Sequence, residues 1–268
     1  MNLVLQGPSL TENQARRFGP AERVADRAWR IRGALSVDAG YCEKNRIDHA
    51  LVPEGRRFAD LKLVAMDMDS TLITMETIDE LGELVGKKPE IAAITARAMR
   101  GEIDYPQSLR QRVSLLAGLD EDGLLEVYES RLQLTSGAET LLAACRRHGV
   151  KTLLVSGGFT FFVERLRKRL GIEYAIANTL EVSRGRLTGG LVGEMVDAEA
   201  KASKFRGIVK QLGATKEQTV AIGDGANDLK MMAEAGLSIA FHAKPVVRAQ
   251  ASCALTWSGL DGVLNLFE

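Results

Sequence analysis

From residue 63 onward the chain is organised by short apolar runs that each end in small or polar residues. They are Leu63-Val-Ala-Met66, Val150-Lys-Thr-Leu-Leu-Val155, Thr219-Val-Ala-Ile222 and Leu237-Ser-Ile-Ala-Phe241. Near-continuous runs of this length suit strands buried on both faces. Helical periodicity separates them, clearest in Phe162, Val163, Leu166 and Leu170 after the second run. Strands alternating with helices predict an α/β fold, a doubly wound, Rossmann-like and mostly parallel sheet. Ser183-Arg-Gly-Arg186, between β-leaning runs within 177–196, predicts a hairpin.

Two segments depart from this alternation. Thr77 to Gln133 carries helical spacing and no convincing strand, with Ile78, Leu81, Leu84 and Val85 on one face, then Ile91, Ile94 and Met99. It predicts a helical cap inserted after the first core strand. Residues 1–60 are polar and Arg-rich, punctuated by Gly7-Pro8, Gly19-Pro20 and Pro53-Glu-Gly55. Helical stretches are expected around Ala21 to Arg32. The expected division is an N-terminal appendage over 1–60, a core over 61–74 and 134–268, and a cap over 75–133.

Composition narrows the function classes. Lys plus Arg and Asp plus Glu both total 35, so no net field draws in nucleic acid or an anionic membrane. Cys42, Cys145 and Cys253 are odd in number and far apart, which offers neither a disulfide framework nor a Cys-x-x-Cys site. No apolar stretch approaches the roughly 20 residues of a spanning helix. A soluble cytoplasmic protein whose partner is read locally is expected, its oligomeric state open, a homodimer included.

The chemistry gathers where the strands end. Asp67 and Asp69 stand two apart just past the first run, and two acids so close call for a divalent cation, a proton-transfer role, or both. Ser156-Gly157-Gly158 offers a hydroxyl and backbone N–H groups at a helix start, suited to phosphate. Asp224 and Asp228 lie four apart in a loop with Asn227, and hard oxygen ligands favour Mg2+. Helix capping accounts for one of these three polar residues, not for the cluster. Lys201 and Lys204 are the candidate cations, unranked by the residues alone.

Together these residues resemble the haloacid dehalogenase superfamily of phosphotransferases. Asp67-Met-Asp69-Ser-Thr71 matches its first motif, Ser156 its second, a lysine upstream of the third strand its third, and Gly223-Asp224-Gly-Ala-Asn227-Asp228 its fourth. Within it the chain is similar to the phosphoserine phosphatases, through Met75-Glu76-Thr-Ile-Asp79 and Ser108-Leu-Arg-Gln-Arg112-Val113.

The resemblance implies O-phosphoserine as substrate, Glu76 on its ammonium and Arg112 on its carboxylate. Charge complementarity agrees with that pairing. It further implies Asp67 as nucleophile, Asp69 as acid and base, and Ser156, Gly157, Lys201 and Asn227 on the phosphoryl group. Mg2+ would rest on Asp67, the Asp69 carbonyl and Asp224, with Asp228 as a further acid. Spacing to the fourth motif then favours Lys201 over Lys204. The rival readings are a phosphotransferase of the same superfamily acting on another small phosphoester or alcohol, a receiver-type signalling module, and an amino-acid-binding protein.

Overall fold

The computed structural model describes residues 1–268. At the N-terminus, β1 (Asn2–Gln6), α1 (Glu12–Arg16), β2 (Ala21–Ala25), β3 (Ala28–Ile31), α2 (Ala39–Lys44) and β4 (Asp48–Val52) build a four-stranded sheet of order β2-β3-β1-β4, antiparallel throughout. The helix expected around Ala21 to Arg32 is therefore wrong: the segment is a hairpin, turning at Arg27 with φ 52°.

Long-range contacts explain the difference. Trp29 and Ile31 bury against Leu3 and Leu5, while the Arg30 guanidinium donates to the carbonyls of Asn265 (3.1 Å) and Phe267 (2.5 Å). Every residue of β3 is buried, so tertiary packing outweighs the helical leaning of Ala and Arg. The other face of this sheet, through Val4, Ala50 and Val52, joins the main core. Asp48 fixes the junction by accepting N–H bonds from Thr256 (2.7 Å), Trp257 (3.1 Å) and Ser258 (2.8 Å).

The second sheet contains β5 (Leu63–Met66), β6 (Lys151–Phe159), β7 (Tyr174–Ser183), β8 (Arg186–Val192), β9 (Thr219–Gly223), β10 (Leu237–Phe241) and β11 (Cys253–Leu255), in the order β11-β10-β9-β5-β6-β7-β8. All neighbours are parallel except β7 and β8, which form the hairpin expected at Ser183 to Arg186. The three-residue β11 was not among the expected strands.

Alternate residues of β5 serve opposite faces. Val64 and Met66 join the large core with Leu141 and Cys145 of α7 (Ala138–His148) and Phe162 and Leu166 of α8 (Thr160–Leu170). Leu63 and Ala65 pack with Phe205 of α9 (Ala198–Gln211) and Met231 of α10 (Leu229–Glu234). Helices thus cover both faces, as a doubly wound α/β sheet requires.

Between β5 and α7 lie α3 (Thr77–Leu84), α4 (Lys88–Met99), α5 (Tyr105–Ser114) and α6 (Glu121–Glu126). The chain leaves and rejoins the core on paired segments, with an Ile73–Leu134 bridge and a Thr74 N–H to Gln133 O bond of 3.0 Å. The connection after α5 is also tied to the hairpin by Gly118 N–H to Leu187 O and Leu187 N–H to Leu119 O, both 2.8 Å. A short α11 (Pro245–Arg248) follows β10.

Candidate active site

From β5 the chain builds outward through β6 and β7, then returns to place β9 on the other side of β5. Ligands of open α/β sheets collect beyond the carboxyl ends of strands where the winding reverses. A cavity of about 620 Å³ lies there, lined by Asp67, Asp69, Gly157, Asp224 and Asn227 from strand ends and by Glu76, Tyr105 and Arg112 from the helical insertion.

At its floor the Lys201 Nζ lies 2.9 Å from Asp67 Oδ1 and 2.8 Å from Asp228 Oδ1. Asp197 starts α9 by accepting the Ala200 N–H at 2.8 Å, which sets Lys201 one turn into the helix, where it is 1% exposed. Lys204, one turn further on, is half-buried and outside this group. Burial alone would push Lys201 down, but Asp228 and Asp67 outweigh it and hold the ammonium charged. Burial and then Asp228 push Asp67 well above the ordinary carboxylate range, against the pull of Lys201. One ammonium is too little for the acids around it.

Asp69 is held differently. Its Oδ1 accepts the Thr77 N–H at 2.8 Å and its Oδ2 the Ser156 hydroxyl at 3.3 Å. Between the two acids and the insertion, Ser70 adopts φ 54°, a left-handed conformation that costs a non-glycine residue about 1 kcal/mol or more. It is held by its N–H to Met75 O at 3.2 Å and its hydroxyl to Glu76 Oε1 at 2.7 Å. Burial first, then the Glu76 carboxylate, raise Asp69 to about 7. Such a group exchanges protons near neutrality.

The Ser156-Gly157-Gly158 turn is fixed from three sides. Ser156 Oγ accepts the Gly158 N–H at 2.8 Å, and the Gly157 carbonyl accepts from Asn178 Nδ2 at 2.8 Å and Tyr105 Oη at 3.3 Å. A Cβ on Gly157 would collide with the Tyr105 hydroxyl. Asn178 also accepts the Val196 N–H at 2.8 Å, linking this turn to the segment that leads into α9 and Lys201. Tyr105 and Asn178 were not singled out in the sequence, where a lone Tyr and Asn carry no spacing signal.

A family model for haloacid dehalogenase-like hydrolases matches residues 64–233. The chain belongs to that family. A phosphoserine phosphatase of a Polaromonas species is 53% identical over 217 residues, 79% of this chain and 92% of the relative. The crystal structure of a probable phosphoserine phosphatase from Vibrio cholerae, unliganded, aligns over 99% of this chain and 85% of its own with a TM-score of 0.85 and 38% identity. A substrate-bound phosphoserine phosphatase complex aligns over 78% of this chain and 99% of its own, with a TM-score of 0.73 and 39% identity.

Haloacid dehalogenase-like phosphatases generally use a divalent metal, and this member carries a donor set that fits one. Asp67, Asp224 and Asp228 each bring a carboxylate oxygen within 4.8 Å of the other two. Burial, then Asp228 and Glu76, raise Asp224 to about 7, so the set is under-compensated as it stands. All-oxygen donors with surplus negative charge suit a hard cation. The Asp69 side chain is not in the set, being engaged by Thr77 and Ser156. Asp228 does not cap α10; its Oδ2 turns back to the Gly225 N–H at 3.1 Å.

Proposed function

We propose that the chain is a Mg2+-dependent phosphatase hydrolysing O-phosphoserine to serine and phosphate through an aspartyl-phosphate, the last step of serine biosynthesis, in the cytoplasm. What carries the reading is one cavity that combines the Asp67–Lys201 floor with Glu76 and Arg112, acid and base matched to the two charges of an amino acid. Curated relatives at 53% and 50% identity bear that activity.

In the first step an Asp67 oxygen attacks phosphorus, the bond to the serine oxygen breaks, and Asp69 gives its proton to that oxygen. In the second, the Asp69 carboxylate takes a proton from water as it attacks phosphorus; the bond to Asp67 breaks and both acids are restored. Two neighbouring acids can divide roles because their surroundings differ. Ser156, the Gly157 N–H, Lys201 and Asn227 bind the non-bridging oxygens, where charge concentrates. Asp67, Asp224 and the Asp69 carbonyl would hold Mg2+, with Asp228 as a further acid; the bound cation supplies neutralisation of phosphoryl and carboxylate charge.

Residues 75–133 act as the cap over a core of 61–74 and 134–268, with 1–60 an appended unit. Closure of the cap excludes water and seats Glu76 and Arg112 on the substrate. A phosphate-release screen over small phosphomonoesters, with and without Mg2+, tests the reading. O-phosphoserine should be the preferred ester, turned over only with the cation. A sugar phosphate preferred over it would remove the substrate assignment.

A further inference from the structure

The cations that line the cavity are Arg112, Lys230 and Lys244, set among a larger number of acids. Arg112 is matched to the substrate carboxylate, and Lys230 is tied to Glu199 at 3.2 Å. Beneath them Lys201 is shared between Asp67 and Asp228. Lys244 forms no ion pair: its Nζ, with three N–H donors, meets only the Met99 Sδ, at 3.9 Å.

The backbone sets where this lysine stands. β10 ends at Phe241, and His242 takes a left-handed φ of 45°, sparsely populated for a residue with a Cβ, its N–H held by the Leu255 carbonyl at 2.8 Å. The turn brings the Lys244 N–H to the Asp224 carbonyl at 3.3 Å. From there the exposed side chain reaches from the core to the cap, to Met99 at the end of α4, which is 63% exposed and also lines the cavity. The ammonium therefore stands on the rim. Its charge is felt inside: burial, Asp228 and Glu76 raise Asp224, and of the charges that pull it back Lys244 comes ahead of the buried Lys201. An unpaired ammonium on the rim of an acid-rich cavity favours the entry of a phosphomonoester dianion.

We infer that Lys244 is a substrate-guiding residue whose ammonium attracts the phosphoryl dianion at the rim, between core and cap, before Lys201 and the phosphate turn receive it. This deepens, and rests on, the reading of the chain as a phosphatase. Attraction of this kind shows in KM and weakens with salt, whereas an interaction made only in the transition state shows in kcat.

The test uses the full chain at saturating Mg2+ and two esters, O-phosphoserine and O-phosphoethanolamine, which share the phosphoryl group and differ in the carboxylate. Lys244 is exposed, so its variants keep the fold. Lys244→Met, which keeps an apolar stem against Met99, should raise KM about tenfold for both esters at low ionic strength, with kcat nearly unchanged. Lys244→Arg should return KM close to the wild-type value, and Lys244→Glu should raise it further. All three ratios to wild type should shrink toward one as salt is added. An unchanged KM in Lys244→Met, a change that salt does not diminish, an equal loss in Lys244→Arg, or a change confined to O-phosphoserine would overturn the inference. So would a change that disappears when Mg2+ is raised at constant ionic strength, which would place the effect on the metal site. A wild-type chain that releases phosphate from neither ester would overturn the phosphatase reading, and this inference with it.

Discussion

Asp67 and Asp69, two residues apart, share no hydrogen-bond partner: Asp67 faces Lys201 at 2.9 Å, whereas Asp69 accepts the Thr77 N–H at 2.8 Å and the Ser156 hydroxyl at 3.3 Å. The strand end sends them into different surroundings, which is what separate roles demand. Asp69→Asn should lower kcat for O-phosphoserine by about 10²–10⁴-fold, the usual contribution of a general acid. The first step on p-nitrophenyl phosphate, whose leaving group needs no proton, should lose far less in a pre-steady-state burst. Equal losses would remove Asp69 from the acid role.

Asp69 and Asp224 are both raised to about 7, from an ordinary value of 3.8. Between those values the folded chain binds more protons than the unfolded one, so their contribution to stability is present at low pH and lost as pH rises through 7. In chelator, the urea midpoint of the wild type relative to an Asp69→Asn, Asp224→Asn variant should therefore fall from about pH 4 to pH 8. Mg2+ should restore most at the upper end, where the carboxylates it binds are ionised. A relative midpoint that climbs over this range would contradict the burial assigned to both acids.

Lys201 is the sole ammonium among buried acids, so Lys201→Met strands Asp67 and Asp228 without a counter-charge. Breaking a buried pair from one side costs about 3–5 kcal/mol. Lys204→Met, at a half-buried position, should stay within about 1 kcal/mol. Urea unfolding of the two variants, alongside phosphate release, separates them; comparable behaviour would return Lys204 to contention.

Gly157→Ala drives a methyl into the Tyr105 hydroxyl and pushes α5 away from the phosphate turn. Activity should fall steeply, and adding Tyr105→Phe should recover part of it, because the clashing oxygen is gone. The double variant's activity against the two single ones gives the coupling. Additive losses would mean that the two groups do not meet in the working enzyme.

Much of this was legible because it is local. β5, β6, β9 and β10 announce themselves as apolar runs, and the residues at their ends converge because parallel strands share one carboxyl edge. The N-terminal sheet was not legible. Arg30 reads as a solvated helical residue until the carbonyls of Asn265 and Phe267, more than 230 residues away, are seen to receive it. The same holds for Tyr105 and Asn178, whose meaning lies in their contact with the Gly157 carbonyl. Lys201 and Lys204 were equivalent in composition; one helical turn decides which is buried against the acids.

Acid quenching during turnover of O-phosphoserine, followed by mass spectrometry of the peptide that contains Asp67, tests the central claim most directly. A phosphoryl adduct on Asp67, cleaved by hydroxylamine and absent from Asp67→Asn, is the predicted result. Phosphate release at the wild-type rate by Asp67→Asn, or an adduct on another residue, would contradict the account.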